Sequence, residues 1–156
     1  MSMKSNAADI KYLMIDVDGT MTDSGIYYDN NGNELKRFST RDGEGIKLAR
    51  TLGIKIIVIT GRKCNATKCR MKELGVDFLA EGILDKYDYL NTYMKNNGIP
   101  KSEFGYIGDD VNDLKAMGLA SYVGCPVDSC TEVKEIADYV SPINGGQGAV
   151  RDVIEH

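Results

Sequence analysis

Asp16-Val17-Asp18-Gly19-Thr20, Thr60-Gly61-Arg62, Lys86 and Gly108-Asp109-Asp110-Val111-Asn112-Asp113 carry the side chains of this sequence best suited to chemistry. Carboxylates serve as nucleophiles, as proton donors and acceptors, and as ligands for hard cations. Aspartates gathered in one place would force some of their number to stay protonated. A divalent cation with oxygen ligands is the simplest remedy, and Mg²⁺ typically takes a few carboxylates together with water and phosphate oxygens. A lone Asp-x-Asp is a weak signal, because surface acid pairs are common. The ordered set is a strong one if each piece follows a strand.

The apolar pattern supplies those strands. Residues 12–15 and 54–59 are β-rich runs that end at Asp16 and Thr60. Phe78-Leu79, Tyr106-Ile107, Tyr122-Val123 and Tyr139-Val140 are shorter candidates. Helical patterns lie between them: Ile46, Ala49 and Leu52 share a face stopped by Gly53, and Cys69 to Leu74 stops at Gly75. Tyr87, Leu90 and Met94 form a third face, closed by Gly98 and Pro100, and two short helices precede Gly118 and Tyr139. Alternation of strand and helix predicts an α/β fold, a three-layer Rossmann-like parallel sheet with helices on both faces. Residues 26–28 and 34–38 interrupt the rhythm and read as a β-hairpin flap, with Asn31-Gly32 as a turn in which both residues can take positive φ. In an open parallel sheet, ligands bind beyond the C-terminal strand ends. The fold therefore brings Asp16, Asp18, Thr60, Lys86, Asp109, Asp110 and Asp113 to one edge.

The 156 residues suit one domain, with 42% hydrophobic and 27% charged residues as in soluble globular proteins. Residues 1–9 read as a flexible N-terminus and 10–156 as a single domain. The formal charge of −4 and the pI near 5.0 give no basic face for nucleic acid. No apolar run approaches the roughly 20 residues of a membrane span. The first residues lack the pattern of a signal peptide, so a cytoplasmic location is expected. Cys64/Cys69 and Cys125/Cys130 form two Cys-x4-Cys pairs. They read as a zinc site, as disulfides, or as four separate thiols in a reducing compartment. Zinc prefers tighter spacing and often recruits histidine, and the one histidine is His156.

The motifs and their order resemble the haloacid dehalogenase-like superfamily of phosphotransferases over residues 12–151. The resemblance implies a Mg²⁺-dependent phosphatase working through an aspartyl-phosphate. Asp16 is then the nucleophile and Asp18 the general acid and later base. Thr60, Gly61 and Lys86 hold the phosphoryl group. Asp16, the backbone carbonyl of Asp18, and Asp109 hold the metal, with Asp110 and Asp113 in support. Gly19 is expected to give the loop room around the ligand. Many superfamily members carry an inserted cap, but the intervals 18–60 and 60–86 are too short for a second core, so no cap domain is expected.

Further stretches are similar to one capless group, the phosphatases of 3-deoxy-manno-octulosonate 8-phosphate and their sialic-acid-type relatives, which serve lipopolysaccharide and sialic acid biosynthesis. They are Thr22-Asp23, Asn31-Gly32-Asn33-Glu34, Phe38-Ser39-Thr40-Arg41-Asp42-Gly43, Thr60-Gly61-Arg62-Lys63, and residues 145–152. The group implies a sugar acid phosphate substrate and a homotetramer with shared active sites. It makes Thr40, Arg62, Lys63, Arg70 and Asn112 candidates for substrate contact. Arg62 suits a carboxylate or phosphate through two parallel hydrogen bonds, and favours octulosonate over N-acylneuraminate or deaminoneuraminate 9-phosphates. Thr20 and Asp152 stand where valine and glutamate are usual, and a short tail beyond Arg151 is expected to loosen specificity. Lys36, Arg37 and Arg41 read as surface charges. A signalling receiver domain is the rival from another class, although it orders its acid pair, phosphorylated Asp, Thr and Lys differently. An idle phosphatase-like assembly domain is a third reading.

Overall fold

In the computed structural model, which describes residues 7–156, the chain runs through β1 (Tyr12–Ile15), β2 (Tyr27–Tyr28), β3 (Glu34–Leu35), α1 (Thr40–Thr51), β4 (Lys55–Thr60), α2 (Asn65–Leu74), β5 (Phe78–Glu81) and α3 (Lys86–Asn96). It continues through β6 (Phe104–Ile107), α4 (Val111–Met117), β7 (Tyr122–Cys125), α5 (Thr131–Ile136), β8 (Tyr139–Val140) and α6 (Ala149–Glu155). Of the segment expected to be a flexible start, residues 1–6 lie outside the described residues, and Ala7–Asp9 form a 3-10 turn.

The main sheet is parallel, with strand order β5-β4-β1-β6-β7-β8. Leaving out the hairpin, that is the 3-2-1-4-5-6 order of a doubly wound Rossmann-like sheet, whereas a receiver domain follows 2-1-3-4-5. The receiver reading is thereby excluded. Strand alternation sorts the apolar residues onto two faces. Met14, Ile57, Ile59, Phe104 and Tyr106 pack with Leu90, Met94, Met117 and Val133 of α3, α4 and α5. Leu13, Ile15, Ile56 and Val58 pack with Ile46, Ala49, Met71, Leu74, Val150 and Val153 of α1, α2 and α6. Every described helix of a full turn or more thus covers one face or the other, and no separate cap is inserted.

Four details differ from the sequence expectation. Leu52 does not share the buried face of Ile46 and Ala49; it is the C-cap of α1 and 71% exposed. The hairpin pairs over two residues a side. Only Gly32 of the turn has positive φ (80°), because Asp29 organises the loop instead: its carboxylate accepts the Asn31 and Asn33 amides at 2.8 and 2.9 Å and the Asn33 side chain at 2.8 Å. Finally, α6 follows the glycine-rich segment 145–148. Its seven residues span barely two turns, too little for a periodic signal.

The order of strands reverses at β1, so the C-terminal ends of β1, β4 and β6 meet at one crevice. No described helix is long and apolar enough to cross a membrane.

Candidate active site

The chain leaving β1 curls at once. The amides of Thr20, Met21 and Thr22 all donate to the Val17 carbonyl, at 3.3, 2.9 and 3.2 Å. This turn buries Asp16 and leaves Asp18 half-buried at the rim. Gly19, at φ 88°, lies against Asp109: a Cβ built there would stand 2.1 Å from Asp109 Oδ2. The glycine therefore makes room for a carboxylate of the neighbouring loop. It was expected to make room for the ligand. Thr20 Oγ1 donates to Asp109 Oδ1 at 2.8 Å, so the departure from valine gives that carboxylate a fixed partner.

Lys86 opens α3 behind the Asp85 N-cap and is itself buried. Its ammonium donates to Asp16 Oδ1 at 2.7 Å and Asp113 Oδ1 at 2.8 Å. Asp113 is fully buried on α4. Tyr106 Oη also donates to its Oδ1, at 2.6 Å, and the Asp109 and Asp110 amides approach its Oδ2 at 3.2 and 3.4 Å. Asp113 is thus saturated with donors and acts by holding Lys86 and the 109–110 loop. In the sequence Tyr106 has the signature of a strand residue alone. Its hydroxyl gives no signal in an apolar run until the fold brings β6 beside α4.

One carboxylate oxygen from each of Asp16, Asp109 and Asp113 lies within 4.8 Å of the other two. Burial, then the Asp113 charge, pushes the Asp16 carboxyl well above the ordinary aspartate range against the pull of Lys86. Burial and neighbouring carboxylates push Asp109 up to about 6, with Thr20 opposing. Burial alone would lower Lys86; Asp16 and Asp113 outweigh it and hold its ammonium above the ordinary lysine value. One buried ammonium therefore pairs with two carboxylates, and a third, that of Asp109, lies beside them. Asp16 Oδ1 and Asp109 Oδ1 are taken by Lys86 and Thr20, which leaves a second oxygen on each for another ligand. A hard divalent cation with oxygen ligands fits this donor set.

The Asp18 carboxylate stays outside that cluster. Lys36 Nζ donates to Asp18 Oδ1, and Thr60 Oγ1 donates to Oδ2 at 3.5 Å. Lys36 is thus not the surface charge it was read as: its side chain is 1% exposed, beneath the hairpin. Its ammonium also lies 4.0 Å from Glu34, whose carboxylate grips Arg62. Arg62 further reaches Tyr28 Oη at 3.4 Å. Glu34 and Lys36 are two residues apart in extended chain, hence on one face; that spacing was the signal available in the sequence.

Thr60 is buried at the end of β4, and its Oγ1 accepts the Arg62 amide at 3.4 Å. Gly61 sits between them with no close approach that demands a glycine; the nearest atom to a Cβ there would be 3.6 Å away. Lys63 is exposed and runs over Gly82, and Asn112 is exposed at the start of α4. Asp110 is exposed and caps α4, accepting the Val111 amide at 2.7 Å. Thr40 is exposed at the start of α1. Arg70 donates to the Ser39 carbonyl (3.2 Å) and Glu73 (2.9 Å), beside Thr40 and away from the carboxylate cluster. Arg37 donates to the Gly146 carbonyl at 3.3 Å, tying the hairpin to the glycine-rich segment, while Arg41 is exposed as expected. All four cysteines are free thiols, with Cys64 and Cys125 buried.

A buried Asp–Lys–Asp set at the switch point of a doubly wound sheet defines a class, and comparison with known proteins agrees. The haloacid dehalogenase-like hydrolase family model matches residues 79–154, the part containing Lys86, Asp109, Asp110 and Asp113. The chain is 37% identical over 151 residues to the 3-deoxy-D-manno-octulosonate 8-phosphate phosphatase KdsC of Escherichia coli K12, covering 97% of this chain and 80% of that protein. Identity to the Haemophilus influenzae protein of the same name is 34%, over 97% and 84% of the two chains. The chain belongs to the haloacid dehalogenase-like hydrolases. Among solved structures it is similar to the 3-deoxy-D-manno-octulosonate 8-phosphate phosphatase of Moraxella catarrhalis in complex with magnesium ion, phosphate ion and KDO (TM-score 0.90, 38% identity, 94% and 84% of the chains covered). It is also similar to the Yersinia pestis phosphatase of that name (TM-score 0.91, 37% identity, 96% and 80% covered).

Proposed function

We propose that the chain is a Mg²⁺-dependent phosphatase of 2-keto-3-deoxy sugar acid phosphates of the 3-deoxy-D-manno-octulosonate 8-phosphate type. The single observation behind this reading is the Lys86 ammonium between Asp16 and Asp113, with Asp109 alongside. Relatives 37% and 38% identical to the chain carry that activity in their names, and one was solved with magnesium, phosphate and KDO.

Asp16 and Asp109, with the Asp18 carbonyl, would hold Mg²⁺, which when bound neutralises phosphoryl charge and keeps the buried carboxylates ionised. An Asp16 oxygen attacks phosphorus as the ester P–O bond breaks, and Asp18 gives its proton to the departing sugar oxygen. Water then attacks the aspartyl-phosphate. Asp18 takes the water's proton, and inorganic phosphate leaves with Asp16 restored as a carboxylate. Lys86, Thr60 and the Gly61 amide steady the phosphoryl oxygens in both steps. Asp113 holds Lys86 in place, and Asp110 orders the start of α4.

Residues 10–156 form one catalytic domain in this reading, and the protein works in the cytoplasm. Arg62, Lys63 and Asn112 contact the sugar acid at the rim. Thr40 at the start of α1 and Arg70 on α2, whose guanidinium reaches the Ser39 carbonyl next to Thr40, serve a neighbouring copy's site in a homotetramer, a substrate anion replacing the exposed Glu73 on Arg70. The exposed Tyr27, Tyr28 and Leu35 of the hairpin support such an assembly. A phosphate-release panel with Mg²⁺ tests the reading. A preference of several orders of magnitude for 3-deoxy-D-manno-octulosonate 8-phosphate is expected. Preference for N-acylneuraminate 9-phosphate would move the substrate, and no release from any phosphomonoester would overturn the activity.

A further inference from the structure

The Asp18 carboxylate cannot serve a leaving group as it stands, because both of its oxygens already accept donors, Lys36 on Oδ1 and Thr60 on Oδ2. Lys36 is not a casual neighbour. Its side chain is 1% exposed, so moving its ammonium off Asp18 without a replacement anion strands a charge in a dry place. The other end of the same network faces solvent. Lys36 lies 4.0 Å from Glu34, Glu34 grips Arg62, and Arg62 is 40% exposed beside the exposed Tyr28. Two cations and two carboxylates balance one another across the hairpin and the rim, Lys36 and Arg62 against Asp18 and Glu34. An arriving anion meets the open Arg62 end first. By displacing Glu34 from Arg62 it frees that carboxylate for Lys36, or it takes Lys36 itself. Either exchange releases Asp18 Oδ1.

We propose that Lys36 is a specificity-determining positioning residue. It latches Asp18 away from the leaving oxygen until an anionic group of the substrate, remote from the phosphoryl group, engages Arg62 or Lys36. The inference rests on the phosphatase reading above and adds how the site selects an acid. A sugar acid phosphate carries such a second anion in its carboxylate; glucose 6-phosphate does not. The exchange is a swap of ion-pair partners and makes or breaks no covalent bond.

The test compares wild type, Lys36→Met and Lys36→Arg on 3-deoxy-D-manno-octulosonate 8-phosphate and glucose 6-phosphate, with Mg²⁺ present. Methionine keeps an apolar stem in the buried slot without the ammonium. In Lys36→Met, kcat on glucose 6-phosphate should rise about tenfold, equivalent to ~1.4 kcal/mol, while kcat/KM on the sugar acid phosphate falls by at least as much. Lys36→Arg should keep the wild-type preference. An equal loss on both substrates, or a loss on the acid alone with no gain on glucose 6-phosphate, overturns the latch. A second measurement needs no variant: a crystal structure of the wild type with the free sugar acid and phosphate should show Lys36 off Asp18. Lys36 still paired to Asp18 in that complex would also overturn it. Failure of the phosphatase reading shows differently, as wild-type protein that releases phosphate from neither substrate.

Discussion

Lys86 Nζ lies 2.7 Å from Asp16 Oδ1, and both side chains are buried. The ion pair joins the start of α3 to the end of β1 and holds the proposed nucleophile in one orientation. Removing one partner of a buried pair leaves an uncompensated charge. Lys86→Met should lower stability by about 3–5 kcal/mol at neutral pH in chelator-treated protein. Denaturant unfolding checks this. The loss should shrink as pH falls, because burial and the Asp113 charge raise the Asp16 carboxyl above the ordinary aspartate range and favour its neutral form. Turnover should fall about a hundredfold or more, because the cation proposed to steady the phosphoryl group is gone.

Tyr106→Phe removes the hydroxyl that donates to Asp113 at 2.6 Å. Asp113 then keeps Lys86 and the backbone amides, so the fold should survive with a loss of about 1–2 kcal/mol. A thermal or denaturant melt reads the stability. A smaller fall in kcat than for Lys86→Met is expected, since the tyrosine acts through Asp113.

Gly19→Ala should abolish metal-dependent activity without unfolding the protein. An added Cβ would stand 2.1 Å from Asp109 Oδ2, and φ at this residue is 88°. Calorimetric titration should find Mg²⁺ binding weaker by about 10–100-fold, the scale of misplacing a ligand's support. Gly61→Ala is the contrasting control for crowding, since its nearest neighbour would be 3.6 Å away.

Asp109 is pushed up to about 6 by burial and its carboxylate neighbours, and Asp16 rises with it. A carboxyl raised above its ordinary value stabilises the fold at low pH. That contribution is present below about 4 and is lost as pH rises through the folded value near 6. Metal-free protein should therefore lose stability from pH 5 to 7.5, and Mg²⁺ should restore more at pH 7.5 than at pH 5. Cation binding displaces the protons, so Mg²⁺ affinity should weaken about tenfold per pH unit below the Asp109 value and level off above pH 7. Equal Mg²⁺ affinity at pH 5 and pH 7.5 would contradict the assignment.

The sheet and the carboxylate edge were legible because they rest on local signals. Short apolar runs ended at Asp16 and Thr60, the second dense in β-branched residues, and glycine stops closed the first helices. The alternating pattern supplies a parallel sheet whose strand ends share one edge, and the strand order of the fold brings Asp16, Lys86, Asp109 and Asp113 together there. What the chain did not disclose depends on contacts across long separations. Lys36 looks like any lysine at the end of a hairpin until β3 folds over Asp18, and Tyr106 looks like packing until α4 lies beside β6. Gly19 signalled a tight place, and the carboxylate that needs it is contributed by a loop ninety positions on. Arg70 shows the converse, a cation that suits an anionic ligand by type but hydrogen-bonds Ser39 and Glu73 within its own chain.

In the proposed reaction Asp16 is the group that accepts the phosphoryl. Wild-type protein mixed with radiolabelled sugar acid phosphate and Mg²⁺, then quenched in acid within the first turnover, should carry label that peptide mapping assigns to Asp16. Asp16→Asn should carry none and release no phosphate, while remaining folded. Label on another residue, or full phosphate release by Asp16→Asn, would contradict it.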